Sequence, residues 1–295
     1  MTVACPDCGA LADLNAGCVL CGWRAVVVDG LINLITDRDL ANPVLATYFR
    51  NYDRIAEDDL NAPILDLSYV RHQARNLARY AGNVKGKTIM DLGCGRGVLT
   101  RLLHDGGAKS IVAIDISSAY LRQLTDLPGV SPVIANAERL PFRDAFDVVV
   151  STDVMEHVLN MGSFLVSVNQ SLRQYGAAII RVPYRESLVG YSQQAGCKYD
   201  FVHLRTFDRH TIKDALRGAG FEIERTWFDG FSLYSPRQAW ISTARRESLY
   251  GRFQRWALSR VADPAEVTSW PWPLAGMFMT PKEIIVRARK VRAAL

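Results

Sequence analysis

Four cysteines open the chain in two C-x-x-C pairs, Cys5-Pro6-Asp7-Cys8 and Cys18-Val19-Leu20-Cys21, with nine residues between the pairs. Two such knuckles can supply four thiolates tetrahedrally to one zinc ion, and each turn offers backbone N–H groups to the sulfurs. A pair of disulfides would need an oxidising compartment, and no apolar signal segment precedes Cys5. Further on, the apolar run Ile89-Met90 ends in Asp91, and Leu92-Gly93-Cys94-Gly95-Arg96-Gly97 then sets three glycines at alternate positions ahead of a helix-like pattern. Glycines let a strand turn sharply into a helix and bring bare backbone against a ligand, and the helix N-terminus adds donors and a positive dipole end. That end can meet a carboxylate, while Asp91 and the glycine carbonyls can receive an ammonium. Asp115 ends the next apolar run 18 residues after Gly97, one βαβ step on. A carboxylate there can accept both hydroxyls of a ribose. Asp153, Glu156 and His157 stand at i, i+3 and i+4, which on a helix is one face. His157, whose imidazole ordinarily titrates near neutrality, is the candidate general base.

The elements that must position these residues follow from periodicity. The chain has 295 residues and a net charge of +5, enough for one large α/β domain with a small accessory piece. The mild basic charge permits an anionic partner without demanding one. No stretch of about 18 apolar residues suggests a membrane span, and the metal-type cysteine usage suits a reducing cytoplasm. Residues 43–82 read as two helices, the first with Tyr48, Phe49, Tyr52 and Ile55 on one side. Short apolar runs at 87–91, 110–115, 131–135, 146–151, 177–183, 221–225 and 283–288 alternate with helical patterns, with Ser117 and Asp208 as N-caps. That alternation predicts a parallel sheet. Thr152 to Val158 follows the fourth strand, on the edge where open parallel sheets bind ligands, and 184–205 is a loop with little pattern. Residues 237–260 carry six arginines among aromatic residues in a helix-like segment. Such a helix can rest on an anionic ligand or membrane surface, or pack by its aromatic side and leave its arginines to solvent. Cys94 fits a small space in the glycine loop, and Cys197 is a bystander in a loop.

The D-x-G-x-G-x-G turn resembles motif I of the class I S-adenosylmethionine (SAM)-dependent methyltransferases. Asp115, the segment Asn136-Ala137-Glu138-Arg139-Leu140-Pro141-Phe142 (similar to "D-A-E-x-L-P-F") and Thr152-Asp153-Val154-Met155-Glu156-His157-Val158 follow in that family's order and spacing. The resemblance covers about 85–228. It implies an α/β, Rossmann-like seven-stranded sheet of order 3-2-1-4-5-7-6 with the last strand antiparallel. It divides the chain into a zinc ribbon at 1–35, a helical lid at 36–84 and a SAM-dependent core at 85–295, with an insertion at about 230–280. SAM would be held by Asp91, Gly93, Cys94, Gly95, Gly97, Asp115, Ile116, Asn136, Ala137, Thr152 and Tyr52. Asn136 stands where the family commonly has an acid that hydrogen-bonds the adenine amine, and it can serve through its carbonyl oxygen.

The activity the resemblance implies is methyl transfer to a small-molecule acceptor at oxygen, with His157 as base. The D-x-x-E-H stretch also resembles the E-x-x-E-H of ubiquinone-pathway and small-RNA methyltransferases, which implies a divalent metal at Asp153, Glu156 and His157, completed by His203. The ribbon with its following Asp29-Gly30-Leu31-Ile32-Asn33-Leu34 is similar to ribbons on several methyltransferases. It supports two other readings: a ribosomal or transfer RNA methyltransferase gripping RNA by the ribbon, or a non-catalytic SAM-binding protein using it for protein contacts. The ribbon has few lysines or arginines for phosphate contacts, and the fourth-strand segment is not the Asn/Asp-Pro-Pro-Tyr used on exocyclic base amines. Both favour the small-molecule acceptor. The oligomeric state is not legible.

Overall fold

Val- and Ile-rich runs without polar alternation become central strands, as strands covered on both faces require. The structure, a computed structural model, describes residues 2–14, 16–61, 67–192, 194, 196–197, 199–200, 202–229, 232–233 and 279–294. In chain order the elements are β1 (Thr2–Ala4), β2 (Leu11–Asp13), β3 (Val26–Val28), β4 (Leu31–Asn33), α1 (Asp37–Leu40), α2 (Pro43–Asn61), α3 (Leu67–Ala81), β5 (Thr88–Leu92), α4 (Val98–Asp105), β6 (Ser110–Asp115), α5 (Ser118–Leu121), β7 (Val130–Ile134), β8 (Phe146–Thr152), α6 (Met161–Ser171), β9 (Leu172–Pro183), α7 (Arg209–Gly218), β10 (Phe221–Asp229), β11 (Ser232–Leu233), β12 (Met279–Thr280) and β13 (Glu283–Lys290). The arginine-rich segment 237–260 lies outside the described residues.

Among the described residues the main sheet runs β10-β13-β9-β8-β5-β6-β7-β4-β3. Strands β5 to β9 pair in parallel, and β13 lies antiparallel between β9 and β10. The seven strands from β5 on therefore stand in the expected order 3-2-1-4-5-7-6. The sheet has nine strands rather than seven because the hairpin β3–β4 joins it, β4 pairing in parallel with β7 through Ile32–Val133 and Asn33–Ile134. The hairpin turns on Asp29-Gly30, with φ of 50° and 78°, the left-handed pair that a two-residue turn between twisted strands prefers. Leu31, 1% exposed, anchors it beneath the sheet with Ile111 and Ala113.

Alternate residues of the strands face opposite sides. Met90, Leu92, Val112 and Ile114 pack with Phe164 and Val168 of α6 and Ile212 and Leu216 of α7. Ile89, Ile111, Ala113, Val148 and Val150 pack with α3, α4 and Leu121 of α5. The cysteine ribbon shares the first of these cores: Val3, Ala12 and Leu14 belong to one cluster with Leu140 and Phe142. Phe142 is fully buried and meets Phe146 edge-on at 5.2 Å between ring centres. Phe142→Ala is expected to cost about 3–5 kcal/mol of stability, by denaturant titration. A cost under about 1 kcal/mol would mean this junction is not part of the cooperative core.

The helix after the glycine loop begins at Val98, with Gly97 as its left-handed N-cap. Helix α6 stops at Ser171, and β9 starts at Leu172 paired with Phe146.

Candidate functional site

The ends of β5 to β8 and helix α2 enclose a cavity of about 270 Å³, lined by Gly93, Gly95, Asp115 and Asn136 and by Tyr52, His157 and Val202. The glycine loop forms its floor. Gly93, Gly95 and Gly97 all have positive φ, at 76°, 49° and 70°. Two of them are closed in: a Cβ on Gly93 would lie 2.2 Å from Val154 Cγ2, and one on Gly97 2.4 Å from Leu124 Cδ2. Gly95 faces open space, with nothing within 4 Å of a Cβ there, so its backbone is bare toward the cavity. Asp115 braces this loop by accepting from Gly95 N–H at 2.9 Å and from Ser117 N–H at 3.0 Å. Those two bonds leave carboxylate lone pairs for a diol. Beneath the loop Asp91 accepts from the Thr100 hydroxyl at 2.6 Å, and its buried Oδ1 has no partner among the described residues. Burial raises the Asp91 carboxyl to about 6. A nucleoside carrying an amino-acid tail fits this lining: bare backbone and a braced carboxylate for the ribose, with an orphaned carboxylate oxygen buried beneath the loop.

Of the residues expected to hold cofactor, Tyr52, Gly93, Gly95, Asp115, Ile116, Asn136 and Ala137 line the cavity. Asp91, Cys94, Gly97 and Thr152 do not. Cys94 is buried in the core below the loop, and Thr152 sits at the end of β8 opposite Arg181. Tyr48, Tyr120 and Glu138 also line it. Sequence reading missed these; only the helical spacing of Tyr48 to Tyr52 hinted at one. Helix α2 is pinned over the cavity at its middle and its C-terminal end. Asp59 accepts from Arg96 Nε at 2.8 Å and from the Tyr120 hydroxyl at 2.9 Å, while Asp58 and Asn51 bond Tyr199 and the Asp200 carbonyl.

In the cavity wall, Tyr52 Oη lies 2.6 Å from His157 Nδ1, and both contact the carbonyl of Val202. A carbonyl only accepts, so Nδ1 carries the proton and Nε2 the lone pair. Burial, followed by the charge of His203, lowers the His157 imidazole to about 4, so it is neutral at pH 7. His203 stands edge-on to His157 at 4.6 Å, with its own Nδ1 on Glu186 and its ring stacked on Tyr191. Beside the histidines Glu156 is fully buried, its Oε1 3.8 Å from His157 Nε2 and neither carboxylate oxygen hydrogen-bonded among the described residues, and burial pushes its carboxyl well up. Ligand atoms of Glu156, His157 and His203 lie within 4.8 Å of one another.

Asp153 does not join them, which corrects the trio read from sequence. Its φ is 53°, residues 155–157 form a turn rather than a helix, and its carboxylate pairs with Arg181. The i, i+3, i+4 spacing shares a face only on a helix. Arg205 holds the turn from below, donating to the carbonyls of Met155 and Val158 at 2.9 and 2.6 Å.

Away from the cavity, ligand atoms of Cys5, Cys8, Cys18 and Cys21 lie within 4.8 Å of one another, a group able to hold a metal. The two knuckles repeat one geometry. Gly9 and Gly22 both have φ of 77° and donate to the carbonyls of Cys5 and Cys18 at 2.9 Å. The backbone N–H of Cys21 lowers the Cys18 thiol to about 7.

Residues 65–226 match the family described as "Methyltransferase domain". A curated protein of Mycolicibacterium smegmatis named as a probable SAM-dependent methyltransferase is 28% identical over 150 residues, covering 50% of this chain and 57% of that one. The mitochondrial ubiquinone biosynthesis O-methyltransferase of Schizosaccharomyces pombe is 24% identical over 59% of this chain and 63% of its own. A tRNA U34 carboxymethyltransferase of Pseudoalteromonas translucida is 31% identical over 33% of this chain and 32% of its own. The chain thus spans from about a third to under two thirds of these relatives. Two solved structures share the fold. A Burkholderia thailandensis 1,6-didemethyltoxoflavin N1-methyltransferase superposes with TM-score 0.54 at 16% identity, covering 91% of this chain and 95% of that one. A chain from the Haloferax volcanii complex of the Trm112 activator with a methyltransferase gives TM-score 0.57 at 18% identity, covering 83% and 98%.

Proposed function

The chain belongs to the methyltransferase-domain family of class I SAM-dependent enzymes, and from that premise we propose that it methylates a small-molecule acceptor at oxygen inside the cavity under α2. The observation that carries this reading is the continuity of that cavity. One space joins the braced Asp115 and bare Gly95 to the neutral imidazole of His157, whose Nε2 lies 3.8 Å from Glu156 Oε1. SAM bound there supplies a methyl group on a sulfonium, open to in-line attack. The protein's part is to align the acceptor, exclude water with α2 and receive the acceptor's proton at His157 Nε2. Tyr52, its hydroxyl pushed up by burial, stays protonated and holds the imidazole in place. Four thiolates of the N-terminal cluster would hold a structural zinc, which suits a reducing, cytoplasmic setting.

A second use of the same residues is favoured by one observation: Glu156 is buried, without a hydrogen bond among the described residues, beside two histidines whose Nδ1 atoms are each engaged by oxygen. Metal-ligating histidines are commonly held that way at the other nitrogen. Glu156, His157 and His203 would hold a divalent cation that polarises the acceptor oxygen, with Asp153 outside the set.

Methyl-labelled SAM incubated with a lysate of the source cells tests the main reading. Label in small organic material supports it, and label released from large material by RNase overturns it. His157→Asn is expected to lower kcat by about 10²–10⁴-fold. Metal analysis separates the two uses. A cation at Glu156 gives two metal ions per chain, reduced to one by Glu156→Gln, whereas a metal-free site gives one in both proteins.

A further inference from the structure

Asn136 occupies a place where an acid was expected, and the structure supplies a physical reason. Its Nδ2 lies 3.5 Å from Asp39 Oδ1, and its Oδ1 accepts from Glu138 N–H at 3.0 Å. Both residues are buried, Asn136 at 8% and Asp39 at 2% exposure. Turning the amide over would set its oxygen against a carboxylate and its NH₂ against an N–H, so the two neighbours fix its orientation. An aspartate at 136 would put two buried carboxylates side by side.

Asp39 is itself fully held. Thr36 N–H and Oγ1 donate to its Oδ2 at 3.0 and 2.8 Å, and Arg139 Nη1 donates to its Oδ1 at 2.9 Å. The other Arg139 nitrogen reaches the carbonyl of Pro6, inside the first cysteine knuckle, at 3.3 Å. Ala4 N–H donates to the Pro141 carbonyl at 2.6 Å, so the ribbon grips both sides of Leu140. A continuous path therefore runs from the cysteine knuckle through Arg139 and Asp39 to the cavity wall at Asn136.

We propose that Asp39 is a positioning residue for the cofactor's adenine. It turns the Asn136 carbonyl oxygen toward the 6-amino group, and Arg139 ties that setting to the ribbon. The proposal rests on the cofactor reading above. The acid that selects adenine thus acts from the segment after the ribbon, one residue removed from the base.

The test is calorimetric binding of S-adenosylhomocysteine and of S-inosylhomocysteine, whose 6-oxo group cannot donate. The wild-type chain is expected to prefer the adenosyl ligand. Asp39→Asn, which frees the amide to turn, is expected to lower that preference by roughly tenfold, the worth of one hydrogen bond beside a charge. Asn136→Asp is expected to weaken adenosyl binding outright. The double variant Asp39→Asn with Asn136→Asp is expected to recover it, because an acid at 136 then accepts the amine beside an amide. A general loss of stability would weaken both ligands and leave their ratio unchanged.

Should Asp39→Asn fail to fold, Arg139→Gln tests the same path from a side chain 36% exposed, with the same fall in ratio expected. A wild-type ratio in the folded variants, no preference in the wild type, or no recovery in the double variant overturns the proposal. Failure of the wild-type chain to bind either ligand would instead overturn the cofactor reading itself.

Discussion

Asp115→Ala is expected to weaken S-adenosylhomocysteine binding by about a hundredfold or more, the largest loss from any single cavity substitution. Two separate effects combine. The carboxylate accepts the N–H groups of Gly95 and Ser117 at 2.9 and 3.0 Å, so its loss frees the loop whose bare backbone faces the cavity. On the proposed function its remaining lone pairs would accept the ribose hydroxyls, and a hydrogen bond to a charged group is worth about 1.5–3 kcal/mol. Asp115→Asn separates the two effects. An amide keeps one acceptor for the loop but offers the diol a donor in place of the other, so it is expected to fall between wild type and alanine. Titration calorimetry reads the series. Binding by Asp115→Ala within about threefold of wild type, well under 1 kcal/mol, would remove the ribose from this carboxylate.

The parts of this site that were legible in sequence are those where chemistry demands a residue type at short range. The three glycines need positive φ or close approach, and all three show it, although only Gly93 and Gly95 line the cavity while Gly97 turns back onto Leu124. Asp115 could be placed because a buried strand ending in an acid one βαβ step on has few other uses. Strand order came with the family resemblance, since periodicity says nothing about which strands are neighbours.

What stayed hidden was non-local. Val202 fixes the His157 tautomer across 45 residues, and Asp39 approaches Asn136 across 97. No spacing rule reports either. The β3–β4 hairpin carried a legible turn in Asp29-Gly30, but its pairing with β7 depends on Leu31 finding a place under a sheet edge made a hundred residues later in the chain. Asp153 shows the opposite failure, a local rule applied where the backbone breaks it. The helical face existed on paper, and a left-handed residue at 153 sends that side chain to Arg181 instead.

Removing metal from the four-cysteine cluster is expected to melt the ribbon and lower the unfolding midpoint of the whole chain. Strands β1 and β2 have three residues each and cannot stand alone. Their order depends on the knuckles, where Cys5 Sγ lies 3.4 Å from Cys21 Sγ and Cys8 Sγ 3.6 Å from Cys18 Sγ. Without a cation, thiolates at that separation repel and thiols do little to hold the turns. The consequence reaches further than the ribbon because Val3, Ala12 and Leu14 cover Leu140 and Phe142 of the main core. A midpoint lower by roughly 5 °C or more follows, since each kcal/mol is worth about 2 °C in a chain of this size. Cys18→Ser should behave the same way and lose one metal ion per chain by elemental analysis, whereas Cys197→Ser, outside the cluster, should change neither. Limited proteolysis locates the damage, with new cuts expected before residue 25 while the β3–β4 hairpin, held by Leu31 and β7, stays protected. A metal-stripped chain with an unchanged midpoint and cleavage pattern would show that the ribbon packs without its cation. Its coupling to the cavity wall would then rest on apolar packing and on the Arg139–Pro6 and Ala4–Pro141 hydrogen bonds.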